Sequence, residues 1–147
     1  MPQQNGRVEH WQQTIKYKAV AMCLYASLSS GFWALAITCT VHIYNRQPTR
    51  RLKWNTSIKA WSGKIPDVKY FHVFGCKVYV HVYKDARVNK LQAKAKVMIF
   101  VRYELDTKGY KFWNPETQSV VVSRDATFDE TSFLQCTQNL SSPVQPE

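Results

Sequence analysis

Arg50, Arg51 and Lys53 fall within four consecutive positions, a grouping suited to phosphate oxygens, which accept charge-assisted hydrogen bonds from guanidinium and ammonium groups. Lys90, Lys94 and Lys96, with Arg87 close before them, form a second such group. Glu9, Gln13 and Lys16 are spaced four and then three residues apart, which places them on one face of a helix. For each set a plain solvated surface is the competing reading. Tyr79, Tyr83, Tyr103, Tyr110 and Trp113 could stack on unpaired bases, although Trp113 is expected to fill a core instead. The four cysteines (Cys23, Cys39, Cys76, Cys136) contain no CxxC pair, and His10, His42, His72 and His81 are equally scattered. Reduced thiols and no structural zinc are therefore expected.

The elements that must position these side chains change character near residue 66. Val8, Ile15, Ala19, Met22 and Ala26 recur at helical spacing and predict a first helix from about Arg7 to Leu28. Ser29 or Ser30 can cap a second helix, carried by Phe32, Ala36, Ile37, Thr40, Val41 and Tyr44 and closed by Pro48. A mobile basic connector follows, then a short helical turn around Ile58–Trp61, broken by Ser62 and Gly63. Beyond Pro66 the period becomes two. Lys77–Val82 alternates with its valines on one face, and Val97–Tyr103, Tyr110–Trp113, Val120–Val122 and Thr127–Phe128 supply further strands. Asp106–Gly109 and Asn114–Thr117 read as turns, the second of type I because Pro115 presets φ. Five short, tightly connected strands suggest a small barrel. The polar stretch from Leu134 is expected to be disordered.

Charge narrows the partner. The chain has 147 residues and a formal charge of +10, and up to Pro66 nine basic residues face one acidic residue. Such an excess attracts polyanions, so nucleic acid, DNA or RNA, is the expected partner. From Ala19 to Asn45 no charged residue occurs, which is long enough for a bilayer. Ser29, Ser30 and Gly31 interrupt that stretch with turn and cap residues, so two amphipathic helices and no membrane span are expected.

Eight blocks in order resemble the integrase of copia-type retrotransposons, over about residues 2–133. Pro2–Glu9 (PQQNGRVE) is similar to that family's PQQNGxxE block, and Phe32-Trp33 with Ala36 to its FWxxA. Asn45-Arg46 with Pro48-Thr49, Ala60-Trp61 with Gly63-Lys64 and Pro66, and Val73–Cys76 resemble NRxPT, AWxGKxP and VFGC. Lys108–Lys111 with Trp113–Pro115, Val122–Asp125 and Phe128–Glu130 complete the likeness. Departures occur as well. His10 and Trp11 stand where the family has basic residues, Lys90–Ala95 reads KLQAKA for KLDPKA, and Arg102 replaces the glycine of FVGY. An arginine there must point outward or distort its strand.

The resemblance implies an α+β chain. Residues 1–66 would be an N-terminal helical hairpin from the end of an RNase H-like integrase core. Residues 67–133 would be a small five-stranded SH3-like β-barrel, and residues 134–147 a disordered tail. Family integrases join element ends to target DNA, using two Asp and one Glu that hold two Mg²⁺ ions. Glu9 matches the third carboxylate. Every aspartate here (Asp67, Asp85, Asp106, Asp125, Asp129) lies downstream of it, and a lone carboxylate cannot organise two hard cations. Glu9 alone then reads as a first-turn glutamate complementing the helix dipole. The expected function is a catalytically incomplete integrase fragment that holds nucleic acid without reading sequence, in the nucleus or cytoplasm. No cofactor is expected, with Mg²⁺ belonging to an intact integrase. An inert relic, a protein-interaction module, or a subunit completing a longer integrase copy are the alternatives. The helices would lack the sheet they normally cover, so Trp11, Ile15, Met22, Phe32, Trp33 and Ile37 are expected to form an exposed apolar patch.

Overall fold

A computed structural model describes residues 5–83, 89–91, 93–105 and 108–135. Helix α1 runs over Gly6–Tyr25. It stops three residues short of the predicted Leu28 because Ser27 turns left-handed at φ 55°. There the Leu28 amide reaches back to the Cys23 carbonyl (3.0 Å) and the Ser27 amide to Leu24 (3.1 Å), while Cys23 and Leu28 are both buried. That is a Schellman ending, with serine where glycine is usual. Ser29 precedes a 3₁₀ turn, Ser30–Phe32, that runs straight into α2, Trp33–Tyr44. Pro48 does not close α2. It opens a small antiparallel hairpin of β1 (Pro48–Thr49) and β2 (Asn55–Thr56). Helix α3, Ser57–Ser62, is capped by Thr56, whose hydroxyl accepts the Lys59 amide, and ends on Gly63 at φ 73°.

Strands β3 (Cys76–His81), β4 (Ala95–Tyr103), β5 (Tyr110–Asn114), β6 (Ser119–Ser123) and β7 (Ala126–Phe133) form one antiparallel sheet. Their order is β6-β5-β4-β3-β7, so the first strand pairs with both the second and the last. This is the expected α+β architecture, with five strands in the SH3-like part. The β5–β6 turn uses Asn114, whose Oδ1 accepts the Glu116 amide, and closes through Gln118 at φ 52°. Asp106, Thr107 and residues 136–147 lie outside the described residues, and Leu134, where the tail was expected to begin, packs against the core.

Register explains Arg102. Phe100 pairs with Phe112, but Arg102 pairs with Lys111, so Val101 is an extra residue, a β-bulge. Without it Arg102 would share a face with Met98 and Phe100, inside a cluster of rings from Phe100, Tyr110, Phe112 and Phe128. The bulge moves Arg102 out of that cluster to the opposite side, which faces α2, and Tyr103 stands at the edge between the two, touching Phe100 and Tyr110 as well as His42.

The helices occupy that opposite side. Phe32 meets Trp113 edge-on at 5.5 Å, and His42 of α2 stacks on Tyr103 at 4.5 Å. Ala19, Cys23, Ala26, Phe32, Leu35, Ala36 and Cys39 join Cys76, Ile99 and Val101 in one core. Met98 through Tyr103 are therefore all buried, with no inside–outside alternation, because β4 is covered on both faces. The expected apolar patch does not form. Ile15 and Phe32 are buried, and Met22 and Ile37 pack against the core, which leaves only Trp11 and Trp33 exposed. The hairpin finds its sheet in the β-module itself.

That docking is close. Gly75, at φ 78°, sits where a Cβ would stand 2.3 Å from Ala26 Cβ and 3.2 Å from Leu28 Cδ1. Its amide donates to the Phe100 carbonyl at 2.8 Å, tying the start of β3 to β4 directly beneath the end of α1.

Candidate nucleic-acid interface

The connector carrying Arg50, Arg51 and Lys53 is not a mobile strand-free segment. Arg50–Leu52 form a 3₁₀ turn at the tip of the β1–β2 hairpin. Lys53 and Trp54 follow at φ 51° and 65°, two successive left-handed residues that reverse the chain, and the Trp54 amide returns to the Thr49 carbonyl at 2.9 Å. Left-handed backbone at two non-glycine residues is costly and persists only where the surroundings impose it. The result is a tip on which Arg50, Arg51 and Lys53 are exposed beside a tryptophan that is 70% exposed. Sequence reasoning passed over Trp54. Two-residue strands give no periodicity, and the only signal was an aromatic residue directly after a basic run.

The other sets lie on different elements. Glu9, Gln13 and Lys16 are all exposed on α1, with Ile15 and Ala19 turned to the core, so the predicted common face exists. Lys90 and Lys94 are exposed between β3 and β4, Lys96 is exposed within β4, and Arg87 lies outside the described residues. Among the described residues the ion pairs are Lys111–Glu104 (3.4 Å) and His72–Glu130 (3.1 Å), so no described carboxylate pairs with Arg50, Arg51, Lys53, Lys16, Lys90, Lys94 or Lys96. Three acidic residues of the β-module serve its structure. Glu130 accepts the Val73 amide, Asp125 accepts the Tyr83 hydroxyl, and Asp129 accepts from Thr131. No three His, Cys, Asp or Glu side chains converge as a metal cluster, and no helix is long and apolar enough to cross a membrane, among the described residues.

Of the aromatic candidates, Tyr103 and Trp113 are core residues at 3% exposure each, whereas Tyr83 is open to solvent. Cys23, Cys39 and Cys76 are buried free thiols, and burial pushes Cys39 and Cys76 up to about 12, which marks them as packing groups. His42 is the histidine whose protonation the fold shifts. Its Nε2 is 2.9 Å from the Tyr70 hydroxyl, its ring lies on Tyr103, and its carbonyl accepts from the Arg46 guanidinium at 3.0 Å. Burial first, and then the Arg46 charge, lower it to about 4. The unfolded chain, with a histidine near about 6.5, therefore takes up the proton first as pH falls. Stability contributed by neutral His42 should be complete above pH ~6.5 and lost as pH drops from there towards ~4. Because the ring is only half buried, the loss at pH ~5 should be about 1 kcal/mol. Urea midpoints measured against pH should show it, and His42→Gln should flatten that part of the profile.

Helices laid on a five-stranded SH3-like sheet, with surface cations that meet no carboxylate among the described residues, define the class of this protein. Comparison with known proteins gives the family. The model of the retroviral polymerase SH3-like domain matches residues 76–142, beginning at the first residue of β3. The chain is 34% identical over 130 residues, 88% of its length, to the retrovirus-related Pol polyprotein from transposon TNT 1-94 of Nicotiana tabacum. It is 27% identical over 132 residues, 90% of its length, to that from transposon RE1 of Arabidopsis thaliana. An uncharacterized mitochondrial protein of Arabidopsis thaliana is 30% identical over 84 residues, 57% of this chain and 67% of that protein. No solved structure matches. The chain belongs to the copia-type retrotransposon Pol polyproteins and carries their SH3-like domain. It spans about a tenth of the length of the Pol polyproteins it matches.

Proposed function

We propose that this segment of Pol holds nucleic acid through its phosphates, without reading sequence, and does not cut or join strands by itself. The observation that carries the reading is the hairpin tip, where Arg50, Arg51 and Lys53 stand exposed beside Trp54 and, among the described residues, without carboxylate partners. Lys90, Lys94 and Lys96, with Arg87, form a second contact, and Gln13 and Lys16 a third along α1. Glu9, the third carboxylate by resemblance, is a first-turn residue that favours the positive end of the α1 dipole. Among the described residues no carboxylates gather beside it, which supports a chain that does not by itself hold the Mg²⁺ pair of an intact integrase.

The test is fluorescence anisotropy with duplex DNA of two unrelated sequences across a salt series. With about four phosphates neutralised, log K should fall against log salt with a slope near about −3.6, roughly two decades between about 50 and 200 mM, alike for both sequences. Binding that ignores salt, or none at low salt, would remove the reading. A Mg²⁺-dependent cut lost in Glu9→Gln would remove its non-catalytic half.

A second reading, attachment to a longer integrase copy, is favoured by α1. Tyr17, Val20 and Leu24 form an exposed stripe on the side away from Ile15, Ala19 and Cys23. Light scattering on the isolated chain would test it, since a strict monomer at high concentration gives that stripe no self-association.

A further inference from the structure

Between α2 and the β-module lies a two-lobed cleft. One lobe, of about 600 Å³, is lined by Tyr70, Tyr103 and Tyr110, with Lys108, Glu104 (paired with Lys111) and Asp67 (accepting the Lys69 amide) also on its wall. The other, of about 400 Å³, is lined by Ile37, Val41 and Arg102. His42, Arg46, Tyr103 and Leu105 line both, so the lobes adjoin. Such sizes suit a small organic ligand.

The chemistry of the walls is specific. Arg102 is 8% exposed, placed here by the Val101 bulge, and among the described residues no carboxylate pairs with it. Arg46 is also without a carboxylate and uses one donor on the His42 carbonyl. A nearly buried cation without a counter-ion is costly, and an entering anion would offset that cost. Guanidinium donors match phosphate oxygens in shape as well as charge. Opposite them the rings are held in place. The Tyr110 hydroxyl donates to the Tyr70 carbonyl at 3.1 Å, and the Tyr70 hydroxyl engages His42.

We propose that this cleft takes one unpaired nucleotide of a single-stranded nucleic acid, with its phosphate on Arg46 and Arg102 and its base against Tyr70 and Tyr110. The proposal rests on the nucleic-acid reading above and adds a preference to it. A base stacked within a duplex cannot enter a cleft walled by a helix and a sheet, whereas a base in a single strand is free to do so. The hairpin tip would then hold flanking phosphates of either form, and the cleft would select the single strand.

The experiment compares binding of the full chain to an oligothymidylate of about 12 nucleotides and to a duplex of equal length, at one salt concentration. The single strand should bind about tenfold more tightly, although the duplex carries more phosphate, since one stacked base contributes about five- to a hundredfold. Arg46→Gln, checked for folding by circular dichroism, should bring the two affinities within about twofold. Independently of any variant, thymidine 5′-monophosphate should shift the ring resonances of Tyr70 and Tyr110, and inorganic phosphate should not. Equal or tighter duplex binding would overturn the cleft and leave the general reading standing. Failure of both forms to bind at low salt would overturn both. Ring shifts as large with inorganic phosphate as with the nucleotide would reduce the cleft to an anion site and contradict the base pocket.

Discussion

Gly75→Ala should lower the stability of the chain by about 3–5 kcal/mol, enough to leave much of it unfolded if its total is ordinary for this size. Two costs combine. A side chain at φ 78° is strained whatever surrounds it. The new methyl would also sit 2.3 Å from Ala26 Cβ, in a packed junction where extra volume costs about 1–3 kcal/mol. The second cost is separable. Ala26→Gly removes the atom that is struck, so the double variant should recover part of the loss, while Ala26→Gly alone should destabilise by about 1 kcal/mol. Urea unfolding of the four proteins gives this coupling. Strict additivity would mean that α1 does not end over Gly75.

Replacing Arg50, Arg51 and Lys53 together with glutamate should weaken DNA binding on the order of a thousandfold at about 50 mM salt, and should flatten the salt slope from about −3.6 to about −0.9. Removing three phosphate contacts takes about 2.7 from the slope, which over the roughly 1.3 decades from 50 mM to 1 M is about three to four decades of affinity. The fold should be unaffected within about 0.5 kcal/mol because these side chains are exposed and pair with no carboxylate among the described residues. Reversing Lys90, Lys94 and Lys96 should have a smaller effect. These lysines are spread from the segment before β4 into β4 itself, whereas at the hairpin tip the three charges and Trp54 are grouped. An unchanged slope in the hairpin variant would mean that the tip does not touch phosphate, and an equal effect of both reversals would remove its primacy.

The strands were legible because their chemistry is local. Lys77–Val82 alternates, Asn114-Pro115 makes its turn, and Val120–Val122 follows at hairpin distance, and each stands where the sequence placed it. The end of α1 was misplaced because Ser27, not a glycine, adopts the left-handed conformation there. Helix docking was hidden for a different reason. The resemblance assigned the hairpin to another sheet, and that expectation masked the signal in β4. Val97–Val101 is an unbroken apolar run, the mark of a strand covered on both faces. The small residues Ala19, Ala26 and Ala36 are what allow the helices to approach that closely. Arg102 was recognised as anomalous, but what it meets was not legible. His42 looked like one of four scattered histidines, and Arg46 stood only inside a motif. Both reach the cleft through a helix–sheet contact that no sequence period encodes.

Docking of the helical hairpin on the SH3-like sheet is the claim on which the core, the bulge argument and the cleft all depend. A nuclear Overhauser spectrum of the full chain tests it most directly. The account predicts strong cross-peaks between the Ala26 methyl and the Gly75 α protons, and between the rings of Phe32 and Trp113, whose centroids lie 5.5 Å apart. Assigned resonances for all four residues with neither cross-peak present would contradict it.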